Sequence, residues 1–471
     1  MFTSAGHLTH RESLLIRHGQ NQECFTCLIE ILEDANISMV QREMCLSFLK
    51  SVVDENETFL QVLPSYRLEC CNIICVLTDM YTEDPHKLTA ALLCASMIDK
   101  LQDEHLYEIF MDKFQDVVLS RLVEKHSQFY FIVLSKLCEF SKTYSQMIVS
   151  FHGNIILTVL EAHHCFDEDT LSWLVSLLKL LIPILCSNCG LLKEGSDLFL
   201  WKILEVLVVW MNTVHSSELQ VNILFLLREC LQSEEMISGL LLIGSEGSVD
   251  CSLLMGLKRI LASKNSMIIV PGTQCLTLLM EKLTEPALVK EVLDTDLAEI
   301  VFEFLHSTIP SQLESTFQCL QAMVQHQYFF EKCHAVYGLD SILKSIKDAL
   351  DTGKTIILIK GLELLTSLLV RQPESMPLFM NQSWNFCITL LHTAVQYETP
   401  AVFVKALKAV EQFMRPQHQQ TPLAVRSITS LLSTVYYYYE HHLKSLTQSG
   451  QGQQAYHMTS SIINIVVSTY R

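Results

Sequence analysis

Apolar positions along this chain recur at helical spacing in successive pairs of amphipathic segments, and strand-like alternation is almost absent. In residues 24–33, Phe25, Leu28, Ile29 and Leu32 fall on one face. A turn around Asp34, Ala35 and Asn36 leads to a second helix over 38–53, presenting Val40, Cys45, Leu46, Phe48, Leu49 and Val52. The same grammar returns in 297–306 followed by 312–325, and again in 386–395 followed by 401–414. One such pair cannot bury its apolar faces alone, so the pattern predicts that each pair stacks on its neighbours.

A leucine-bearing phrase marks the period. Anchored on Leu46, Leu92, Leu134, Leu178, Leu226, Leu276, Leu320, Leu362 and Leu407, it advances by 46, 42, 44, 48, 50, 44, 42 and 45 residues. Steps of this size belong to armadillo or HEAT repeats, so the expected fold is an all-α, armadillo/HEAT-like superhelical solenoid of about nine to ten repeats. Because a solenoid needs contacts only between neighbouring repeats, one body can run through a length that would otherwise suggest several domains.

Punctuation divides the chain further. Asp84-Pro85, Thr399-Pro400 and Thr421-Pro422 each read as an N-cap followed by proline at the first helical position, where its missing N–H costs nothing. Unit boundaries are expected at 54–58, 81–86, 186–197, 371–376 and 415–421. Residues 1–22 read as an N-terminal arm or partial cap, 23–446 as the solenoid, 447–454 as a flexible linker rich in Gln, Gly and Ser, and 455–471 as a C-terminal helix. The longest inserted loop is expected at 233–250, which carries Gly239, Gly244 and Gly247. Residues 461–471 are apolar with no polar capping helix after them; the chain therefore reads as a fragment or short isoform of a longer solenoid, expected to self-associate through 436–471.

Composition narrows the function. With 49% hydrophobic and 18% charged residues, the chain can fill a continuous core. A net charge of −18 argues against direct nucleic-acid binding, which needs clustered cations to neutralise phosphates. The C-terminal third carries Lys354, Lys360, Arg371, Lys405, Lys408, Arg415 and Arg426, which at separated helical positions read either as a modest basic patch or as a solvated face. Of 17 cysteines, Cys45, Cys94, Cys138, Cys230, Cys275, Cys319 and Cys387 lie in apolar helical phrases, as small hydrophobes of a reducing compartment. No secretory leader is legible, and the greasiest stretches, 171–185 and 198–211, are interrupted by charge before they reach a membrane span. The expectation is a soluble intracellular protein with no membrane and no small-molecule substrate.

Candidate chemistry is sparse. Asp351-Thr352-Gly353-Lys354-Thr355 contains the Gly-Lys-Thr of a phosphate loop, but Asp348 stands where that loop needs glycine, and nucleotide binding is rejected. Cys24-Phe25-Thr26-Cys27 and Cys186-Ser187-Asn188-Cys189 have zinc-type spacing. The first pair is expected inside an amphipathic helix and the second in a loop; no second close pair follows, and His163, His164 and Cys165 add nothing in sequence alone. No nucleophile elbow or His-Glu-x-x-His helix occurs. Catalytic, metal and cofactor residues are therefore assigned to none. Tyr436, Tyr437, Tyr438 and Tyr439 cover about 300° of a helix, so they cannot all face one core. They are the candidate partner surface, set against burial in a sandwiched helix.

The period and phrases such as Leu28-Ile29-Glu30-Ile31-Leu32-Glu33-Asp34 resemble the armadillo/HEAT class over nearly the whole chain. The nuclear-import branch of that class carries a Trp-x-x-x-Asn ladder. Here Trp173, Trp201, Trp210 and Trp384 are followed four residues on by Leu177, Glu205, Val214 and Ile388, so that ladder is absent. Among cysteine-rich, divergent solenoids the chain most resembles the vertebrate meiosis inhibitor family, also called meiotic double-strand-break formation proteins. The resemblance rests on texture, so it transfers no site residue. It implies a nuclear, non-enzymatic scaffold whose partners are other proteins of the meiotic break-forming machinery, needed for programmed breaks and chromosome synapsis. The competing reading is a cytoplasmic adaptor or regulatory subunit of a signalling or cytoskeletal complex.

Overall fold

The computed structural model describes residues 10, 14–18, 21–34, 36–65, 84–101, 128–161, 167–187, 196–231, 237–241, 252–332, 335–373, 381–415, 418, 425–448 and 452–469. The chain forms two compact units, one of Met1–Trp210 with Val214–Cys230, the other of Met211–Thr213 with Leu231–Arg471.

The first unit opens with a two-stranded antiparallel hairpin, β1 (Leu15–His18) and β2 (Asn21–Cys24), where the sequence reads as an arm or partial cap. Four-residue strands are too short to show alternation, which is why the sequence hides them. The hairpin also crosses the expected boundary at residue 22. It runs directly into α1 (Phe25–Glu33), whose first amide donates back to the Leu14 carbonyl at 2.9 Å. Ser38 caps α2 (Met39–Glu55) by accepting from the Gln41 amide, and Asn56 does the same for Phe59 at the start of α3 (Glu57–Val62). Val40, assigned to the core face, is 68% exposed. At about 100° per residue it stands on the opposite side of α2 from Leu49, around which the buried residues cluster.

Beyond these lie α4 (Asp84–Leu101), α5 (Gln128–Phe140), α6 (Lys142–Glu161), α7 (Glu168–Ser187), α8 (Ser196–Thr213) and α9 (Ser217–Cys230). The helices that carry the anchor leucines pack in succession, α2 on α4, α4 on α5, α5 on α7 and α7 on α9. Leu46, Leu134, Leu178 and Leu226 are buried in this ladder; at α4 the buried position is Leu93, with Leu92 half-buried beside it.

The second unit shows the pairing most completely. One ladder comprises α10 (Leu253–Leu261), α13 (Leu297–Glu303), α16 (Ala335–Asp351), α18 (Asn381–Val395) and α20 (Val425–Gln448). The other comprises α11 (Ser266–Lys282), α14 (Pro310–Met323), α17 (Thr355–Arg371), α19 (Pro400–Phe413) and α21 (Gly452–Thr469), each packed on the next. Each helix of the first ladder also packs against its partner in the second. Two short helices, α12 (Pro286–Asp294) and α15 (Gln327–Lys332), pack together as occasional third members. Leu276, Leu320, Leu362 and Leu407 are all buried.

The repeat period reappears as the separation between polar partners that join neighbouring repeats. Thr89 donates to Glu43 at 2.7 Å and Lys179 to Asn222 at 2.6 Å in the first unit. In the second, Ser383 donates to Asp340 at 2.7 Å, Lys405 pairs with Glu363 at 2.5 Å, and Thr434 shares a 2.9 Å hydrogen bond with His392. All these partners stand 42 to 46 residues apart.

Several expected boundaries move. The linker at 447–454 is mostly helical, because α20 continues through Gln448 and α21 begins at Gly452. Glutamine is a good helix former, and Thr447 satisfies its hydroxyl on the Leu443 carbonyl at 2.8 Å. Within the expected loop 233–250, residues 237–241 are helical and bury Ile237, Leu240 and Leu241 at helical spacing; the rest lies outside the described residues. Pro400 follows the N-cap Thr399 as expected, although no side-chain cap bond forms. Asp84 is already helical, while Thr421 and Pro422 lie outside the described residues.

Candidate functional site

The four consecutive tyrosines lie in the middle of α20 and divide into two pairs. Tyr436 and Tyr437 are 63% and 73% exposed. Tyr438 is half-buried, its ring stacked on His442 with centroids 6.4 Å apart. Tyr439 is also half-buried, and its hydroxyl shares a 3.1 Å hydrogen bond with Thr459 of α21. Tyr439 thus joins α20 to α21, while Tyr438 stacks along α20 itself, and Tyr436 and Tyr437 face solvent. On α21, Tyr456, Ile463, Val466 and Val467 are exposed as well.

A second cluster lies at the N-terminal hairpin. Cys24 ends β2 and serves as the N-cap of α1, so Cys27 falls in the first helical turn; the pair is not inside a helix as the sequence suggested. Both are buried. His10 lies against them: its Nδ1 is 3.3 Å from Cys27 Sγ and 3.7 Å from Cys24 Sγ, while Nε2 donates to Glu30 Oε1 at 2.9 Å. Burial alone would lower the His10 pKa, but the contacts with Cys24 and Glu30 outweigh it and the imidazole is raised above its ordinary value. One nitrogen and two sulfurs within 4.8 Å of one another could hold a metal ion. Sequence reading missed this convergence because it sought further ligands after the cysteine pair, whereas His10 precedes it in a segment without helical pattern.

The other candidates have structural roles. Gly353 has a φ of +67° in the turn joining α16 to α17, and Lys354 donates from its amide to the Ala349 carbonyl at 2.9 Å. The Gly-Lys-Thr triplet therefore closes one helix and opens the next, with glycine in the left-handed conformation such a stop favours. Of the expected basic residues, Lys360 and Lys405 both pair with Glu363, whose carboxyl they hold below its ordinary range against the opposing effect of burial. All seven cysteines assigned to apolar phrases are buried. Burial pushes the Cys45, Cys138 and Cys319 thiols up to about 12, so they pack as neutral thiols. Cys186 lies in the last turn of α7 rather than in a loop, while Cys189, His163, His164 and Cys165 lie outside the described residues. Among the described residues no helix is long and apolar enough to cross a membrane.

Paired helices in stacked ladders, with solvent-facing aromatics on one of them, make this chain an all-α solenoid of the armadillo/HEAT class. The fold agrees with a solved engineered protein at a TM-score of 0.63 and 14% identity, covering 94% of this chain and 98% of that one. Residues 23–466 match the family described as the Meiosis inhibitor protein 1 N-terminal domain, and the chain belongs to that family. It is similar to Meiosis inhibitor protein 1 of Homo sapiens, with 25% identity over 85% of this chain. To its Mus musculus counterpart it is 24% identical over 88%. These alignments cover 32% and 33% of the two relatives, so the chain spans about a third of their length.

Proposed function

We propose that this chain is a non-enzymatic protein-interaction scaffold that acts in meiosis, in the nucleus, where it helps assemble the machinery that makes programmed DNA double-strand breaks and so permits homologous synapsis. The observation that carries this reading is the family match through nearly the whole helical body. The fold supports a scaffold because stacked helices hold their outward side chains in place before a partner arrives, which lowers the ordering cost of binding. The partner surface is centred on Tyr436 and Tyr437, large amphipathic side chains that lose little entropy on contact.

The test is a tagged chain captured from meiotic cells, with somatic cells in parallel and a Y436A/Y437A variant beside the parent. Break-forming recombination proteins should be recovered from meiotic cells only. The exposed double substitution should leave folding stability within about 1 kcal/mol. It should weaken capture by ~30-fold, the effect of losing about 2 kcal/mol at an interface hot spot. Recovery of one cytoplasmic partner set from both cell types would contradict the meiotic reading. Undiminished capture by the variant would move the partner surface elsewhere.

A further inference from the structure

We propose that His10, Cys24 and Cys27 form a zinc site that locks the N-terminal hairpin onto the first helix. Two thiolates and an imidazole are characteristic zinc ligands, and two cysteines separated by two residues form the usual half of a structural site. The two nitrogen–sulfur distances fit such a site. Zinc–sulfur bonds of ~2.3 Å and zinc–nitrogen bonds of ~2.05 Å in a tetrahedron put each sulfur about 3.6 Å from the nitrogen. The two sulfurs stand 3.3 and 3.7 Å from His10 Nδ1, on either side of that value.

The same ring nitrogen faces both sulfurs, and the other is engaged by a carboxylate. Nε2 of His10 donates to Glu30 at 2.9 Å, one turn along α1 from Cys27. This carboxylate–histidine arrangement orients metal-bound imidazoles and strengthens them as ligands. Cys24 and Cys27 are buried beside Phe25, which rests edge-on against Phe59 of α3 with centroids 5.8 Å apart. The two sulfur ligands therefore sit on a packed support. Three protein ligands leave one tetrahedral position for water or a further donor.

The site would tie residue 10 to α1 and so hold in place the hairpin that lies between them in the chain. Binding displaces a proton from each thiol that is protonated beforehand, so affinity should fall as the pH is lowered.

The experiment uses the full chain, purified under reducing conditions and titrated with zinc, then with cobalt as a spectroscopic stand-in. The expected result is one zinc per chain by elemental analysis. Cobalt should give a sulfur-to-metal charge-transfer band together with tetrahedral visible bands, both removed by zinc. H10A, C24S and C27S should each lose these signals, and E30Q should bind zinc about 10- to 100-fold more weakly. The paired substitution C186S/C189S should leave the signals unchanged. Circular dichroism of each variant separates lost metal from lost folding, and the cobalt spectrum of the parent chain does not depend on any variant. A chain that takes up no metal would overturn the proposal, whether Cys24 and Cys27 prove to be a disulfide or a thiol pair. So would metal uptake that survives C24S and C27S in folded protein.

Discussion

Replacing Phe317 with alanine is expected to destabilise the second unit by about 3–5 kcal/mol, the cost of emptying a large aromatic site in a packed core. Phe317 is 0% exposed and lies on α14, between α11 and α17 in the ladder. Its ring approaches Gly361 of α17, where an added Cβ would stand 3.4 Å from Phe317 Cε2 and 2.6 Å from Ile346 Cγ1 of α16. Glycine at this point lets three helices meet without a clash, although it weakens the helix it interrupts. Gly361→Ala should therefore cost about 1–3 kcal/mol by overpacking. Pairing it with Ile346→Ala, which removes the opposing atom, should cost less than the two separate changes together by more than about 0.5 kcal/mol. Chemical denaturation followed by hydrogen exchange would read both effects, with protection lost first in α14, α16 and α17. Simple additivity of Gly361→Ala and Ile346→Ala would show that the three helices do not meet as described.

The second large effect is acid sensitivity, again in the second unit. His418 and His442 are each 1% exposed. His418 donates from Nε2 to the Leu369 carbonyl at 3.0 Å, and its carbonyl accepts from Trp384 Nε1 at 3.0 Å, so this one residue ties α17 to α18. Burial lowers its pKa, the hydrogen bond to Leu369 works in the opposite direction, and Arg415 adds to the lowering. His442 lies against Phe403 with ring centroids 4.5 Å apart, and its pKa is lowered by burial and by neighbouring His441. Above the ordinary histidine value of about 6.5, folded and unfolded chains bind the same protons at these sites. As the pH falls from there toward the folded values, the unfolded chain gains protons that the folded chain refuses. Stability should decline by up to about 1.4 kcal/mol per pH unit for each histidine, and the decline should level off once the folded values are passed. Glu363, with a lowered carboxyl, loses its contribution only from about 4.5 downward, which separates the two windows. Unfolding midpoints between about pH 7.5 and 5.5 should show the slope, and His442→Phe should remove that residue's share. A flat profile through this window would contradict the burial of neutral histidines.

Most of the fold was legible because its governing signal is periodic. Eight of the nine anchor leucines are buried, and their helices are the ones that stack in each unit. Leu92 misses by one position, since a phrase such as Ala91-Leu92-Leu93-Cys94 fixes a helical face only to within a residue. The hairpin was not legible: each strand is short, and what holds it is distant in sequence, including the Asn56 side chain donating to the Arg17 carbonyl at 2.9 Å. The candidate metal ligands were lost for the same reason, because spacing reports neighbours along the chain and His10 reaches the cysteines only through the turn of the hairpin. For the tyrosines, helical geometry required that some face outward. Which two do so depends on how α20 packs on its neighbours, as in the Tyr439 bond to Thr459 of α21, a contact that a sequence does not display.

The claim that this solenoid serves meiotic break formation is tested most directly by counting double-strand-break foci in meiotic cells that lack the chain, with synapsis scored in the same nuclei. Foci are expected to be lost or strongly reduced and homologues to fail to synapse, with both restored by the intact chain and restored poorly by Y436A/Y437A. Normal numbers of breaks and complete synapsis without the chain would contradict it.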